Sequence, residues 1–183
     1  MIQFLILNFK MTKNKKAFTM VEALIALSIL TIGILSSFIL VSKALYNVTI
    51  IKDRLTASFL AQEGIELVRQ IRDTNMLKRL DNETVRWDEG LKEGKYIIDS
   101  GVLNGEPIKL IPVTSEEAPN LKYDNISRIY NYDAGEETSF NRVIQIIKIS
   151  EDELRIECLL KWKSKDVDFD LTVEDHLFNW LKI

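Results

Sequence analysis

The sequence has 183 residues and a formal net charge of −3, with 46% apolar and 28% charged residues, a balance that suits a folded chain better than a disordered one. Its one cysteine, Cys158, excludes an intramolecular disulfide, and with one histidine, His176, no His/Cys metal centre can be assembled. The average hides two regimes: residues 18–42 are almost purely apolar, whereas 43–183 have the composition of an ordinary water-soluble domain.

The first element is a leader followed by a long apolar run. Lys10, Lys13, Lys15 and Lys16 come before "FTMVEALIALSILTIGILSSFILVS", residues 18–42, in which Glu22 is the one charge. Setting aside those four lysines and Glu22 from the 24 basic and 27 acidic residues leaves 20 and 26, an acidic remainder. That sign argues against nucleic-acid binding through a basic surface. Ala23 to Ser42 is uncharged and free of proline, and as a helix of ~1.5 Å rise per residue it covers roughly 30 Å, the hydrocarbon thickness of a bilayer. The lysine excess ahead of it predicts a cytoplasmic N-terminus and residues 43–183 on the far side.

Three readings compete for this run. It is a retained signal anchor; or a cleaved signal peptide with Ser42-Lys43-Ala44 as a small-x-small cut site, although the run exceeds the usual apolar length of such peptides; or a segment in which Glu22 has a task. A carboxylate toward the middle of a membrane helix costs on the order of 2.5–3.5 kcal/mol, less near an interface, so Glu22 could also simply snorkel.

The order of residues bears on this choice. Lysines, then the small Ala17, then Phe18-Thr19-Met20-Val21-Glu22 and the apolar run resemble the cleavage and methylation signature of type IV prepilins and type II secretion pseudopilins. The resemblance implies that a prepilin peptidase cuts between Ala17 and Phe18 and that the new Phe18 amine is methylated. It also implies that this ammonium meets Glu22 of a neighbouring subunit in a filament. Opposite charges in a medium of low dielectric attract strongly, so such a pair can set subunit register. Thr19 either adds a hydrogen bond to that assembly contact or starts the helix. The family usually has glycine before the cut; Ala17 is the next smallest residue, and cleavage is still expected. Met11 would begin "MTKNKKA", a compact basic leader, and is the expected start.

Beyond Lys43 the pattern becomes amphipathic. Ala44, Val48, Ile51, Leu55 and Phe59 recur at helical spacing, and Leu60, Gly64, Leu67, Val68 and Ile71 form a second stripe. With no proline from 18 to 78, one helix of about 60 residues, roughly 90 Å, is predicted, its second half packing these stripes on a domain as core. Ser28, Thr31, Gly33, Ser36 and Ser37 are small enough for close helix approach, or are merely tolerated in a membrane span.

Residues 79–139 read as a connecting region with turns at Asn104-Gly105, Pro107, Pro112, Pro119 and Ala134-Gly135. Short strands are predicted at 96–99, 108–112 and 128–132. The tail is clearer. "FNRVIQIIKI", 140–149, is apolar on both faces near its middle, as in a central strand. Two period-2 strands follow, Leu154–Trp162 and Val167–Val173. A tight turn at Ser164-Lys165 would set Trp162 against Val167, Leu160 against Phe169 and Cys158 against Leu171, with Lys163 beside Asp166 and Lys161 beside Asp168. Val173, Leu177, Trp180 and Leu181 suggest a short C-terminal helix or turn docking back.

The expected fold class is therefore α+β and pilin-like: a long N-terminal helix whose amphipathic half lies on an antiparallel sheet. The segments expected are a basic leader, 1–17; the membrane and assembly half of the helix, 18–42; its amphipathic half, 43–78; a variable connection, 79–139; and an antiparallel meander, 140–183. No catalytic or metal residues are expected. The carboxylates of "DVDFD" alternate too widely to share a calcium ion, His176 has no evident catalytic partner, Cys158 faces inward, Trp87 packs, and no phosphate loop, nucleophile elbow or zinc spacing occurs. No cofactor is called for. The resemblance implies prepilin peptidase, other pilin or pseudopilin subunits, an inner-membrane assembly platform and, before assembly, the lipid bilayer as partners. Its sites are Ala17 and Phe18 for cleavage, Phe18 for methylation, and Glu22 with Thr19 for assembly. Low glycine and the lack of a disulfide-closed C-terminal loop favour a minor subunit. The rival from another class is a membrane-anchored outer-face binding module that never assembles.

Overall fold

The computed structural model describes residues 18–81, 84–100, 105, 107–114 and 118–181. One helix, α1 (Met20–Leu80), is followed by seven strands: β1 (Gly94–Asp99), β2 (Lys109–Pro112), β3 (Asn120–Asp124), β4 (Ile129–Asn131), β5 (Glu136–Ser150), β6 (Glu153–Ser164) and β7 (Val167–Phe178). The fold is α+β, as expected. The chain divides into two units, Met1–Tyr46 and Asn47–Ile183.

In the first unit, every described residue is helical or at the helix start, and all are exposed. The second unit holds the sheet. All its strand pairings are antiparallel, and β5 is the central strand, as its two-sided apolar sequence predicted. β6 pairs along one edge of β5, while β1 and β3 share the other edge at different heights. β2 extends β1, β4 extends β3, and β7 extends β6. β3 had no counterpart among the predicted strands; "NLKYD" has too few apolar residues to show a period.

The helix face made by Ala57, Leu60, Ala61, Gly64 and Val68 is buried. Facing it are Ile144 and Ile146 of β5 and Leu154, Ile156, Cys158 and Leu160 of β6, also buried. Gly64 lets the two layers approach: a Cβ there would lie 3.0 Å from Ile144 Cδ1 and 3.1 Å from Cys158 Sγ. A row of aromatic rings crosses the same face. Tyr123 and Tyr130 lie 4.9 Å apart, and Phe140, Trp162 and Phe169 carry the row from β5 to β7 at 6.3 and 5.6 Å. Arg54 on the helix sits 5.8 Å from the Phe169 ring.

Three expectations need correction. First, the two helical stripes do not share one fate. The stripe from Leu60 to Val68 is core, but Ala44, Val48, Ile51, Leu55 and Phe59 are exposed. At 100° per residue Phe59 points about 200° away from Ala57, so the stripes lie on different sides of the helix.

Second, the β6–β7 turn is Lys165-Asp166, both at positive φ (50° and 65°), and not Ser164-Lys165. The register moves by two residues: Trp162 faces Phe169, Leu160 faces Leu171, Cys158 faces Val173, Lys163 faces Asp168 and Lys161 faces Asp170. Ser164 belongs to β6 rather than to the turn. It is in fact buried, and its hydroxyl donates to Asp53 Oδ2 at 2.5 Å. A shift of two keeps every side chain on its predicted face.

Third, among the described residues no helix or turn follows Val173, because β7 continues to Phe178. Its end is held by the helix. Arg69 pairs with Asp175 at 2.7 Å, and Arg72 donates to the Phe178 carbonyl at 3.3 Å.

Candidate functional site

The sequence places the candidate site at the start of α1. Thr19 caps the helix: its Oγ1 accepts a hydrogen bond from the Glu22 amide at 3.3 Å, and its carbonyl accepts from the Ala23 amide at 3.2 Å. This is the helix-start role, in which a side-chain oxygen satisfies an amide that the first turn leaves open. Glu22 follows in the first turn, where a negative charge suits the helix dipole.

Phe18 and Glu22 are both exposed, and Glu22 has no ion-pair partner among the described residues. Ala17 lies outside the described residues, as do Met11 and the four lysines of the leader.

The next six turns are suited to an apolar environment. Ser28 donates to the Leu24 carbonyl at 2.8 Å, Thr31 to Ser28 at 2.9 Å, Ser36 to Ile32 at 2.8 Å and Ser37 to Gly33 at 2.9 Å. Each hydroxyl thus has a partner within its own helix and needs none from lipid or from a neighbouring helix. α1 contains a window long and apolar enough to cross a membrane, and none of that window is buried within the chain. A helix that is apolar all round and covered by nothing of its own requires lipid or protein around it.

The residues weighed for chemistry elsewhere are placed as follows. Trp87 is buried and donates its indole N–H to the Glu151 carbonyl at 3.1 Å. Cys158 is buried under the helix, and burial pushes its thiol up to about 12, so no thiolate forms near neutral pH. His176 sits on the sheet surface between Glu153, 2.7 Å from Nδ1, and Glu174, 3.0 Å from Nε2, and hydrogen bonding to these two carboxylates raises its pKa. Among the described residues no three His, Cys, Asp or Glu side chains are grouped to hold a metal ion.

Two features had no place in the sequence reading. Arg142, inside β5, is buried. Its guanidinium donates to the carbonyls of Leu60 on the helix and Ile98 on β1, each at 3.0 Å, and reaches Glu63 at 3.2 Å. Tyr132 donates its hydroxyl to the Arg142 carbonyl. The one signal for it was a charge in a strand read as central. The second feature is an open groove of about 800 Å³ beside the helix, bounded by Phe59 and Glu63 on one side and Tyr123, Tyr130 and Thr138 on the other. It draws on three separate stretches of chain, which no local pattern links.

Residues 12–38 match the family model described as the prokaryotic N-terminal methylation motif. No curated protein and no solved structure matches the chain.

Proposed function

We propose, for a chain whose N-terminus carries the methylation motif of type IV prepilin-like proteins, that it is a structural filament subunit, a minor component of a type IV pilus or secretion pseudopilus. The observation that supports this reading best is the coincidence of that motif with a capped helix whose membrane-length apolar window is wholly exposed among the described residues. The protein is inserted in the cytoplasmic membrane with residues 1–17 inside as leader, residues 18–42 in the bilayer and the rest outside. Prepilin peptidase cuts between Ala17 and Phe18 and leaves the apolar helix in place, and the Phe18 amine is methylated. An assembly platform in the inner membrane then moves the chain from lipid into the filament, where its neighbours are other pilin or pseudopilin subunits.

Glu22 supplies the order of that transfer. In lipid its carboxylate is unpaired, and in the filament the Phe18 ammonium of a neighbouring subunit meets it. An unpaired charge in a low-dielectric medium is penalised and a paired one far less, so a misplaced subunit is disfavoured. Thr19, occupied in capping, positions Glu22 by fixing the first turn.

The reading is tested on protein from its own membrane by N-terminal mass spectrometry. A methylated Phe18 terminus is expected. An intact lysine-rich leader in cells with active peptidase would overturn the reading in favour of a fixed anchor, and a start at Leu45 would overturn it in favour of secretion. Glu22→Ala is expected to insert and be cut normally, yet to be lost from sheared filaments; normal incorporation of that variant would remove the charge-pair mechanism.

A further inference from the structure

The sheet ends differently on its two sides. β2 and β4, the outer strands on one side, have four and three residues, and β2 ends at Pro112, so neither presents much free backbone. On the other side β7 runs for 12 residues without a proline and, among the described residues, pairs with β6 alone. The two-residue turn Lys165-Asp166 makes Ser164 and Val167 a pair that exchanges both hydrogen bonds, and such pairs alternate along an antiparallel ladder. Phe169, Leu171 and Val173 therefore bond to β6. Asp168, Asp170, Thr172 and Glu174 turn their amides and carbonyls toward the free edge.

The helix layer stops short of this edge. A helix is about 10–12 Å across and strands lie about 4.8 Å apart, so one helix covers two strands well and a third in part. Ile144 and Ile146 on β5 and Ile156 and Cys158 on β6 are buried, whereas Phe169, Leu171 and Val173 on β7 are only half-buried. An open cleft of about 380 Å³ remains between α1 and β7, lined by Ile65 and Val173 together with the polar Gln62, Glu66 and Arg69. A strand added beside β7 would send every second side chain over this cleft.

The outer face of β7 selects the charge of such a strand. Asp168, Asp170 and Glu174 project there, and all three are exposed. Lys163 stands across from Asp168 but pairs with Asp166 at 3.5 Å, and no ion pair joins Lys161 to Asp170 among the described residues. Two β7 strands laid edge to edge would bring the carboxylates of two copies together, so these charges act against self-pairing. The same charges favour a strand that carries lysine or arginine on its outer face.

We propose that the free edge of β7 adds an antiparallel strand from another protein, an extended segment of alternating apolar and basic residues. Its basic side chains face Asp168, Asp170 and Glu174 on the outer side. Its apolar side chains lie inward beside Leu171 and Val173 and cover the cleft next to Ile65. Backbone hydrogen bonds to the outward amides and carbonyls of β7 supply the affinity, and the alternation of side chains supplies the choice of partner. The inference stands on the sheet alone and does not depend on the filament reading.

The test uses the full chain in a nonionic detergent and, as probe, a synthetic peptide of about ten residues that alternates valine and lysine and is blocked at both ends. Saturable binding is expected, with amide hydrogen exchange at Asp170, Thr172 and Glu174 slowed roughly tenfold or more. In the added strand the lysine amides point at β7 and the valine amides point away. A peptide methylated on its lysine amides should therefore lose binding, and one methylated on its valine amides should keep it. Thr172→Pro removes an outward donor without touching a bond to β6, and should weaken binding roughly tenfold. Asp168→Asn with Asp170→Asn should weaken it several-fold through charge alone, with the Phe169 and Leu171 amides still protected by β6. Four results overturn the inference: no saturable binding, equal binding of the two methylated peptides, protection confined to residues outside β7, or edge amides already protected by a second copy in the free chain.

Discussion

At Arg142 a guanidinium lies under the helix, where an aliphatic side chain would fill the space without a desolvation cost. Its bonds to the Leu60 and Ile98 carbonyls and to Glu63 tie α1, β1 and β5 together at one point. Removing one side of such a buried arrangement strands the other, which explains how a charge can persist in a core. Gly64 stands one turn beyond Leu60 on the same face. A glycine in a helix interior normally gives up ~1 kcal/mol relative to alanine. Here an added Cβ would meet Ile144 Cδ1, Cys158 Sγ and Arg142 Cδ at 3.0, 3.1 and 3.2 Å at once. Overpacking of this kind costs ~1–3 kcal/mol, more than the gain in helix propensity. Gly64→Ala is therefore expected to destabilise the fold by about 1 kcal/mol, read as a lower urea midpoint by circular dichroism in detergent. The double variant with Cys158→Ala should recover part of the loss, because it removes one of the three obstructing atoms. A midpoint at or above that of the parent would show that helix and sheet are not in close contact there.

Turn chemistry operates on the scale of the hairpin. Lys165 and Asp166 both hold positive φ, a conformation that costs a residue with a Cβ roughly 1 kcal/mol, and the two-residue turn they form is the type that Asn-Gly fits best. Lys165→Asn with Asp166→Gly should stabilise the protein by about 1 kcal/mol and leave the β6–β7 register unchanged; a drop in thermal midpoint would mean that the turn has another geometry. The same turn marks the limit of what the sequence could show. The alternation of Leu154, Ile156, Cys158, Leu160 and Trp162 named the inward face of β6 correctly, because a side-chain period of two survives any even shift. The register itself depends on which two residues turn, and the contact that keeps Ser164 in the strand, its hydroxyl bond to Asp53, is distant in sequence. Likewise, helical spacing revealed both stripes on α1 but not that only the later one meets the sheet. Partner-facing and core-facing residues look alike until the other layer is in place. The methylation motif over residues 12–38 was legible because a single local stretch carries it. The groove was not, because Phe59, Tyr123 and Thr138 come together only through the fold.

For the molecule as a whole, the question is which part of the chain needs the membrane. The buried clusters are built from residues at or beyond Ala57, and none draws on residues 18–46. None of residues 18–46 is buried, so a fragment starting at Asn47 retains every buried side chain among the described residues. That fragment is expected to fold in water without detergent. Trp87 and Trp162, both buried, should give it a blue-shifted fluorescence that red-shifts in one cooperative step on denaturation. It keeps Val48, Ile51, Leu55 and Phe59 on its outer face, an exposed apolar patch of the kind that drives association. Its sedimentation should therefore depend on concentration, and Phe59→Glu should reduce that dependence while leaving the fluorescence transition in place.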